Sequence, residues 1–539
     1  MKKPLYLVLL TCLTVHLLAQ DEGLLSGQLM LNGNVFLEDQ AIGASNTPQY
    51  DHQIFGSEVW LDLNYQYKGF DLGIRMDIFN NSNLLNPRDS YSGQGVGKWY
   101  IRKQIDALSI QVGYIYDQIG SGLIFRSYEE RPLLIDNGLY GASLQYSVSD
   151  NLSIKAFGGK QKNLFNTYDS FLKGAAIDGY IALGKDQKIS LVPGFGFVNK
   201  TFSDDQINDI IGTVRNYTPV DSIGLYYNSY AFSVYNTLSA GPVVWYIEGA
   251  YKSNDVYFDP EGRRQLFNGE TTLGKFRNDP GSVLYSSLSL GLNGLGVTVE
   301  YKRTENFSFR ADPFAALNRG LVNYLPPMAK INSYRLKSRY TPATQDLAEQ
   351  AFQAEVRYAI SKQFKVVHYL SNITDLAGKQ LYREFDTEVT LRKSSANQLT
   401  LGLQRQQYNQ EVYEGKAGVP LVETWTPYLE WFHRFTRRKS IKIESQFMST
   451  GQDFGSWLFF LAEYNVAPRW SFAISDMYNV EPVKSEDLHY PRLDIVYVKN
   501  ANRFSLSFIK QVEGVVCAGG ICRLEPAFSG VRFTLNSTF

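Results

Sequence analysis

The side chains able to do chemistry are few and far apart in this sequence. Beyond residue 20 the histidines are His52, His368, His433 and His489, with no H-E-x-x-H or comparable ligand spacing among them. A hydrolase at a membrane needs a nucleophile or water activated by a histidine beside a carboxylate. His433 alternates with aromatic neighbours in Tyr428-Leu429-Glu430-Trp431-Phe432-His433-Arg434, His52 and His489 fall in loop segments, and His368 falls on a short strand. Each reads as a lumen or loop residue rather than a base, so no catalytic residue and no metal site are predicted. Gly93-Gln94-Gly95-Val96-Gly97-Lys98 has the look of a phosphate loop. That chemistry requires a helix after the loop, and Trp99-Tyr100-Ile101-Arg102 continues as strand instead. The segment reads as a flexible outer loop, and no cofactor is predicted.

Two further segments hold reactive or charged groups. Cys517 and Cys522 flank Ala518-Gly519-Gly520-Ile521. Two thiolates cannot fill a zinc site, whereas opposed residues of a hairpin stand about 5.5 Å apart at Cα, within range of a disulfide. From Gly120 and Gly122, which allow unusual backbone angles, the chain runs through Arg126, Glu129, Glu130, Arg131 and Asp136. Two readings stay open here. The loop folds into a lumen, where its charges constrict or select; or it is a solvated outer loop held by local ion pairs.

Something must position these groups, and the chain's ends say where it works. Lys2 and Lys3 precede an apolar run from Leu5 to Leu18, followed by Ala19-Gln20-Asp21. This is the pattern of a secretory signal peptide over residues 1–20, leaving 21–539 as the mature chain. Lysine plus arginine equals aspartate plus glutamate at 53 each, so nothing points to nucleic acid. No later stretch is long and apolar enough for a spanning helix, yet 36 tyrosines, 33 phenylalanines and 44 glycines suit β structure.

Period-two segments of roughly ten residues, the length that crosses an outer membrane when tilted, recur from Gly27 to Phe539. A two-residue turn at Lys68-Gly69 puts Asp62 opposite Arg75 on a polar face and Leu61 opposite Met76 on an apolar one. Asn293-Gly294, a strong hairpin signal, pairs Leu292 with Leu295 and Ser289 with Thr298. Short turns alternate with longer polar segments at 38–57, 80–95, 117–136, 199–227, 254–282, 305–350, 408–423 and 480–490. That asymmetry predicts an all-β fold: a single antiparallel transmembrane β-barrel of about 24 strands, with tight periplasmic turns and long extracellular loops. The last strand places Phe533 and Leu535 on one face and stops at Phe539, a C-terminal aromatic that reads as a barrel insertion signal.

The segments Tyr114 to Asn137 and Glu513 to Phe528 resemble those of an uncharacterised family of outer-membrane barrel proteins from Bacteroidota. The resemblance covers the overall layout and implies location and fold; it carries no activity. The expectation is a non-enzymatic integral protein of the Gram-negative outer membrane, a solute pore or a barrel subunit of an envelope assembly. Its expected partners are outer-membrane lipids, the barrel insertion machinery and other envelope proteins. A surface-displayed binding protein and an outer-membrane hydrolase are the alternatives. Without a separate plug domain, occlusion of a wide lumen falls to the loops, with 305–350 the longest.

Overall fold

Alternation and turn chemistry set the register of each hairpin. Lys68 and Gly69 both take positive φ (45° and 75°), and their tight turn pairs Tyr67 with Phe70, Asp62 with Arg75 and Leu61 with Met76. At Asn293-Gly294, Leu292 meets Leu295, and the Ser289 and Thr298 hydroxyls lie 3.2 Å apart. Repeated along the chain, such hairpins form one antiparallel sheet that closes on itself where Leu24–Phe36 pairs with Phe528–Thr538. The computed structural model describes residues 23–539 except Pro87, Leu134, Lys185, Gln187, 484–487 and 519–520; at Pro132, 515–518 and 521–524 it describes only the backbone. The predicted signal peptide, 1–20, lies outside the described residues. The sheet has 25 strands, but Asn166–Gly179 and Ile181–Leu183 both pair with Ile189–Thr201 and make one stave broken at Tyr180. The barrel is therefore 24-stranded, the number the sequence predicts.

Burial identifies the two faces of the wall. Arg75 and Asp77 are 2% and 4% exposed, while their neighbours Ile74 and Met76 are 42% and 39% exposed. Charged side chains inside and apolar ones outside invert the arrangement of a soluble protein, and suit a wall with lipid around it and polar groups within. On the outer face near one rim Trp431 stacks on His433, which meets Phe435 edge-on, the amphipathic belt expected at a membrane interface.

Several loop expectations are corrected. Segment 254–282 is largely strand: Val243–Gln265 and Thr271–Leu292 continue beyond the wall as a long hairpin. Segment 199–227 contains helix α1, Asp204–Val214, which begins with a reciprocal cap between Ser203 and Gln206. Phe202, Ile207 and Ile210 pack on Val256 and Phe276 of the hairpin, which a run of polar and charged residues had hidden. Gly93-Gln94-Gly95-Val96-Gly97-Lys98 is not a flexible loop but part of strand Tyr91–Ile105, since glycine on a barrel wall is held by its ladder. His368 and His433 lie on the outward face, and His489 begins strand His489–Lys499.

Candidate functional site

Two segments leave the wall and turn inward. The first, 116–138, follows the short strand Leu108–Ile115. Its glycines are needed for close approach: Gly120 and Gly122 have φ of 55° and 103°, and a Cβ on Gly120 would sit 2.6 Å from Glu248 Oε1. Ser121 N–H and Oγ–H donate to Glu248 Oε2 at 2.8 and 2.5 Å across the lumen. Ile119, Leu123 and Ile124 are fully buried, and Phe125 stacks on Phe157 of the wall at 4.3 Å.

The charges of this segment meet charges on the inner face of the wall. Arg131 pairs with Asp62 at 2.6 Å and with Glu129. Glu129 also reaches Arg75 at 2.7 Å and Lys98 at 3.2 Å. Asp136 accepts from Arg75 and from the Tyr116 hydroxyl, both at 2.6 Å, and pairs with Lys162. Burial alone would raise the Glu129 and Asp136 carboxyls, but Arg75, Lys98 and Arg131 around the first, and Lys162 and Arg75 around the second, hold both below the usual carboxylate range. Burial opposes the charge of Arg131 too, and its two carboxylates outweigh that and raise its pKa. Glu130 is exposed, its backbone paired with Ile135. Arg126 lies between the rings of Tyr128 and Tyr324, 4.5 and 4.1 Å from their centroids, and so joins this segment to the second.

The second segment, 306–347, is a strap from wall to wall. Near its start, the Arg310 carbonyl accepts from Lys200 Nζ at 2.8 Å, and the same ammonium pairs with Asp255 at 2.7 Å with both side chains fully buried. The strap passes the first segment, where Arg126 N–H donates to the Val322 carbonyl and Tyr324 N–H to that of Gly122. Farther on, Lys302 Nζ donates to the Pro326 carbonyl, and Ser371 Oγ–H to that of Met328. Lys337 then pairs with Asp386 of strand Gln380–Ser394 at 2.6 Å, its side chain 1% exposed, and Gln446 accepts from Leu336 N–H. The Tyr340 hydroxyl ends the crossing by donating to Asp453. Phe307, Phe309 and Val322 join one buried apolar cluster, and Met328, Leu336 and Tyr340 join another against the far wall.

The filling is one-sided. Glu384 and Asp386, in the half of the lumen nearer the long loops, are 0% and 2% exposed. Toward the short turns the inward side chains open to solvent: Arg357 is 69% exposed, and Gln145, Ser147 and Arg392 are exposed as well. The interior is a stoppered vessel rather than a solid core.

Of the predicted site residues, Arg126, Glu129, Arg131 and Asp136 are thus brought together on the lumen side. The backbone of the hairpin Gly514–Ala518 and Ile521–Glu525 sets Cys517 opposite Cys522; their side chains lie outside the described residues. Phe533 and Leu535 face outward, and Phe539 exchanges backbone hydrogen bonds with Gly27 at 2.8 and 3.0 Å. Sequence reasoning missed Lys200, Lys302, Lys337, Asp255 and Asp386. For Lys200, Lys302 and Asp386 the available signal was their kind: an ionisable residue on the polar face of a spanning strand marks a function or a partner inside. It also missed a His489–Asp476 pair, Nδ1 to Oδ2 2.6 Å, but that pair lies on the outer wall with side chains 62% and 38% exposed. Among the described residues no group of three or more His, Cys, Asp or Glu is arranged to hold a metal.

No curated protein sequence matches the chain. Among solved structures it is similar to the P pilus usher PapC translocation pore, at 9% identity over 95% of this chain and 99% of that one, with a TM-score of 0.45. It is similar also to a mutant of the ferric enterobactin receptor PfeA from Pseudomonas aeruginosa, at 8% identity over 96% and 80%, with a TM-score of 0.42. The outer membrane transporter YddB from Escherichia coli gives 8% over 95% and 81%, with a TM-score of 0.38. The family pattern that matches is described as DUF6029, a family of unknown function, and it covers residues 1–374 and 365–539; the chain belongs to that family.

Proposed function

We propose that this protein is a conduit of the Gram-negative outer membrane, held shut at rest by two segments of its own chain. The observation that carries the reading is the strap 306–347, whose backbone groups and Lys337 are held by wall side chains from Lys200 to Gln446 while, among the described residues, its backbone joins no stave of the sheet. A barrel of 24 strands is far wider than an anchor requires, and a barrel meant only as an anchor closes on its own side chains at about eight strands. Here a wide, water-filled half ends at a stopper tied on by ion pairs and hydrogen bonds, contacts that a ligand or partner can replace. The short turns face the periplasm in this reading, and the long loops face outward. The protein is not an enzyme, and Bacteroidota are the source that the sequence resemblance implies.

Conductance in planar bilayers tests it. The intact protein is expected to be closed or nearly so, and replacing 312–343 by a short Gly-Ser linker should give a large, stable conductance. A folded barrel that stays silent after that replacement overturns the conduit and leaves the reading of a barrel subunit in an envelope assembly. That second reading has one observation of its own: Val220, Phe267 and Leu273, 82%, 75% and 66% exposed, cluster near the end of the long hairpin. Stoichiometric co-purification of a partner, lost when these three become serine, would favour it. Cys517 and Cys522 form a disulfide in this proposal; two free thiols in protein purified without reductant would remove it.

A further inference from the structure

On the side of the long loops the stopper borders a cavity of about 470 Å³, within the size range of small-molecule sites. One side of it is the strap, and the others come mainly from three connections at the long-loop end, 409–421, 449–454 and 512–527. A single helical turn of the strap, closed where Ser338 N–H donates to the Tyr334 carbonyl at 3.1 Å, sorts its side chains. Leu336 and Lys337 are buried against the wall, whereas Arg335, Ser338 and Arg339 line the cavity.

The two arginines stand four residues apart on that turn, a spacing at which like charges repel. Among the described residues the Arg335 guanidinium makes no hydrogen bond and no ion pair. Burial first, then the charges of Arg339 and Arg492, push it down to about 10 against the pull of Glu525. The Arg339 side chain, 10% exposed, lies over the rings of Trp457 and Phe454 at 4.7 and 5.2 Å, and its ion pair with Asp453 is long, at 4.0 Å. Its Nε is buried and donates to nothing among the described residues. The carboxylates that line the cavity are held by other donors. Lys416 pairs with Glu414 at 2.7 Å and with Asp453 at 3.0 Å, and Asp453 also accepts from the Tyr340 hydroxyl. Glu525 accepts from Gln511 at 2.7 Å, and Glu513 is exposed.

We propose that this cavity binds an oxyanion, the carboxylate or phosphate of a small solute, between the guanidiniums of Arg335 and Arg339. Guanidinium forks match both groups, and an anion held there offsets the repulsion within the pair and gives the buried Arg339 Nε an acceptor. Phe454 lines the same cavity and offers a face to an apolar part of the solute. The occupant bridges the strap and the long loops, so it favours the docked strap. That consequence rests on the conduit reading; the binding itself does not.

Labelling of the full-length protein in detergent with phenylglyoxal, read at each arginine by peptide mass spectrometry, tests the proposal, with inorganic phosphate and succinate as separate probes. Arg335 should react in the free protein, and a probe at about ten times its Kd should slow that reaction about tenfold. Chloride at equal ionic strength should not, and neither probe should slow Arg357, which is 69% exposed on the other side of the stopper. Which probe protects tells phosphate from carboxylate. Arg339→Gln, checked for a folded barrel by heat-modifiable gel migration, should weaken protection of Arg335 about tenfold, the loss of one charge-assisted fork. Arg335→Gln is the second variant, and calorimetry should show the same loss of probe affinity. An Arg335 that is inert in the free protein already has a partner, and this overturns the proposal. So does equal slowing by chloride, equal slowing at Arg357, no slowing by either probe, or an affinity unchanged in both variants.

Discussion

The Lys337–Asp386 pair is the sharpest lever on the stopper. Asp386→Asn removes the carboxylate that pairs at 2.6 Å with a lysine whose side chain is 1% exposed, and the ammonium cannot reach water without moving the strap. Breaking a buried pair from one side costs about 3–5 kcal/mol, because a charge is left without its partner. At about 1.4 kcal/mol per factor of ten, that shifts the balance between docked and undocked strap roughly 10²- to 10⁴-fold. Part of the grip remains, since Gln404 and Gln406 still donate to the Lys337 carbonyl and Lys337 still lies over the Tyr428 ring at 4.1 Å. Local release of 330–345 is therefore expected, rather than loss of the whole strap. Single-channel recording should show rare openings in the parent protein and frequent ones in Asp386→Asn. Lys337→Met combined with Asp386→Leu should return the channel toward closure, because an apolar pair of similar volume replaces a buried ion pair at little cost. Openings in Asp386→Asn as rare as in the parent, while the strap replacement conducts, would refute the assignment of this pair as a latch.

Arg131→Ala removes one of the two cations, with Lys98, that Glu129 and Asp62 share, and with Arg126→Ala it should turn any residual conductance toward cations, read as a shift in reversal potential under a salt gradient. Deleting Phe539 removes both backbone hydrogen bonds to Gly27 at the closing seam and should lower the heat-modifiable fraction in membranes; an unchanged fraction would count against the insertion signal. Because the folded-state pKa values of Glu129 and Asp136 are depressed, their contribution to holding 116–138 is complete above the ordinary value of about 4 and is lost as pH falls through the depressed values. Leakage of a dye from proteoliposomes should thus stay flat from pH 8 to about 5 and rise only in stronger acid.

The wall was legible because every stave must satisfy two solvents at once. Asp62 opposite Arg75 and Leu61 opposite Met76 satisfy that demand in one register, and a slip of one residue would put charges into lipid. The closing strand was readable for the same reason. The interior was not, since a polar position tells only that it faces inward and not which loop it meets. Nothing near Lys200 or Lys337 in sequence names Arg310 or Asp386, because those partners are 110 and 49 residues away. Segment 254–282 misled because its outer half lies in water on both faces, so charges appear on alternate positions without the apolar face that marks a wall strand. Histidines misled in the other direction: His433 reads as polar but serves between aromatic rings at the interface.

The hairpin beyond the wall has a consequence for handling the protein. Its turn, Leu266 to Glu270, is closed by backbone hydrogen bonds of its own, and the hairpin leans on α1 lower down, through Val256 and Phe276. Extra residues placed between Asn268 and Gly269 would therefore lengthen an exposed tip while leaving every stave in register. In living cells with the long loops outward, that tip is where a peptide tag would be reached by antibody, and where a soluble protease would make its first cut.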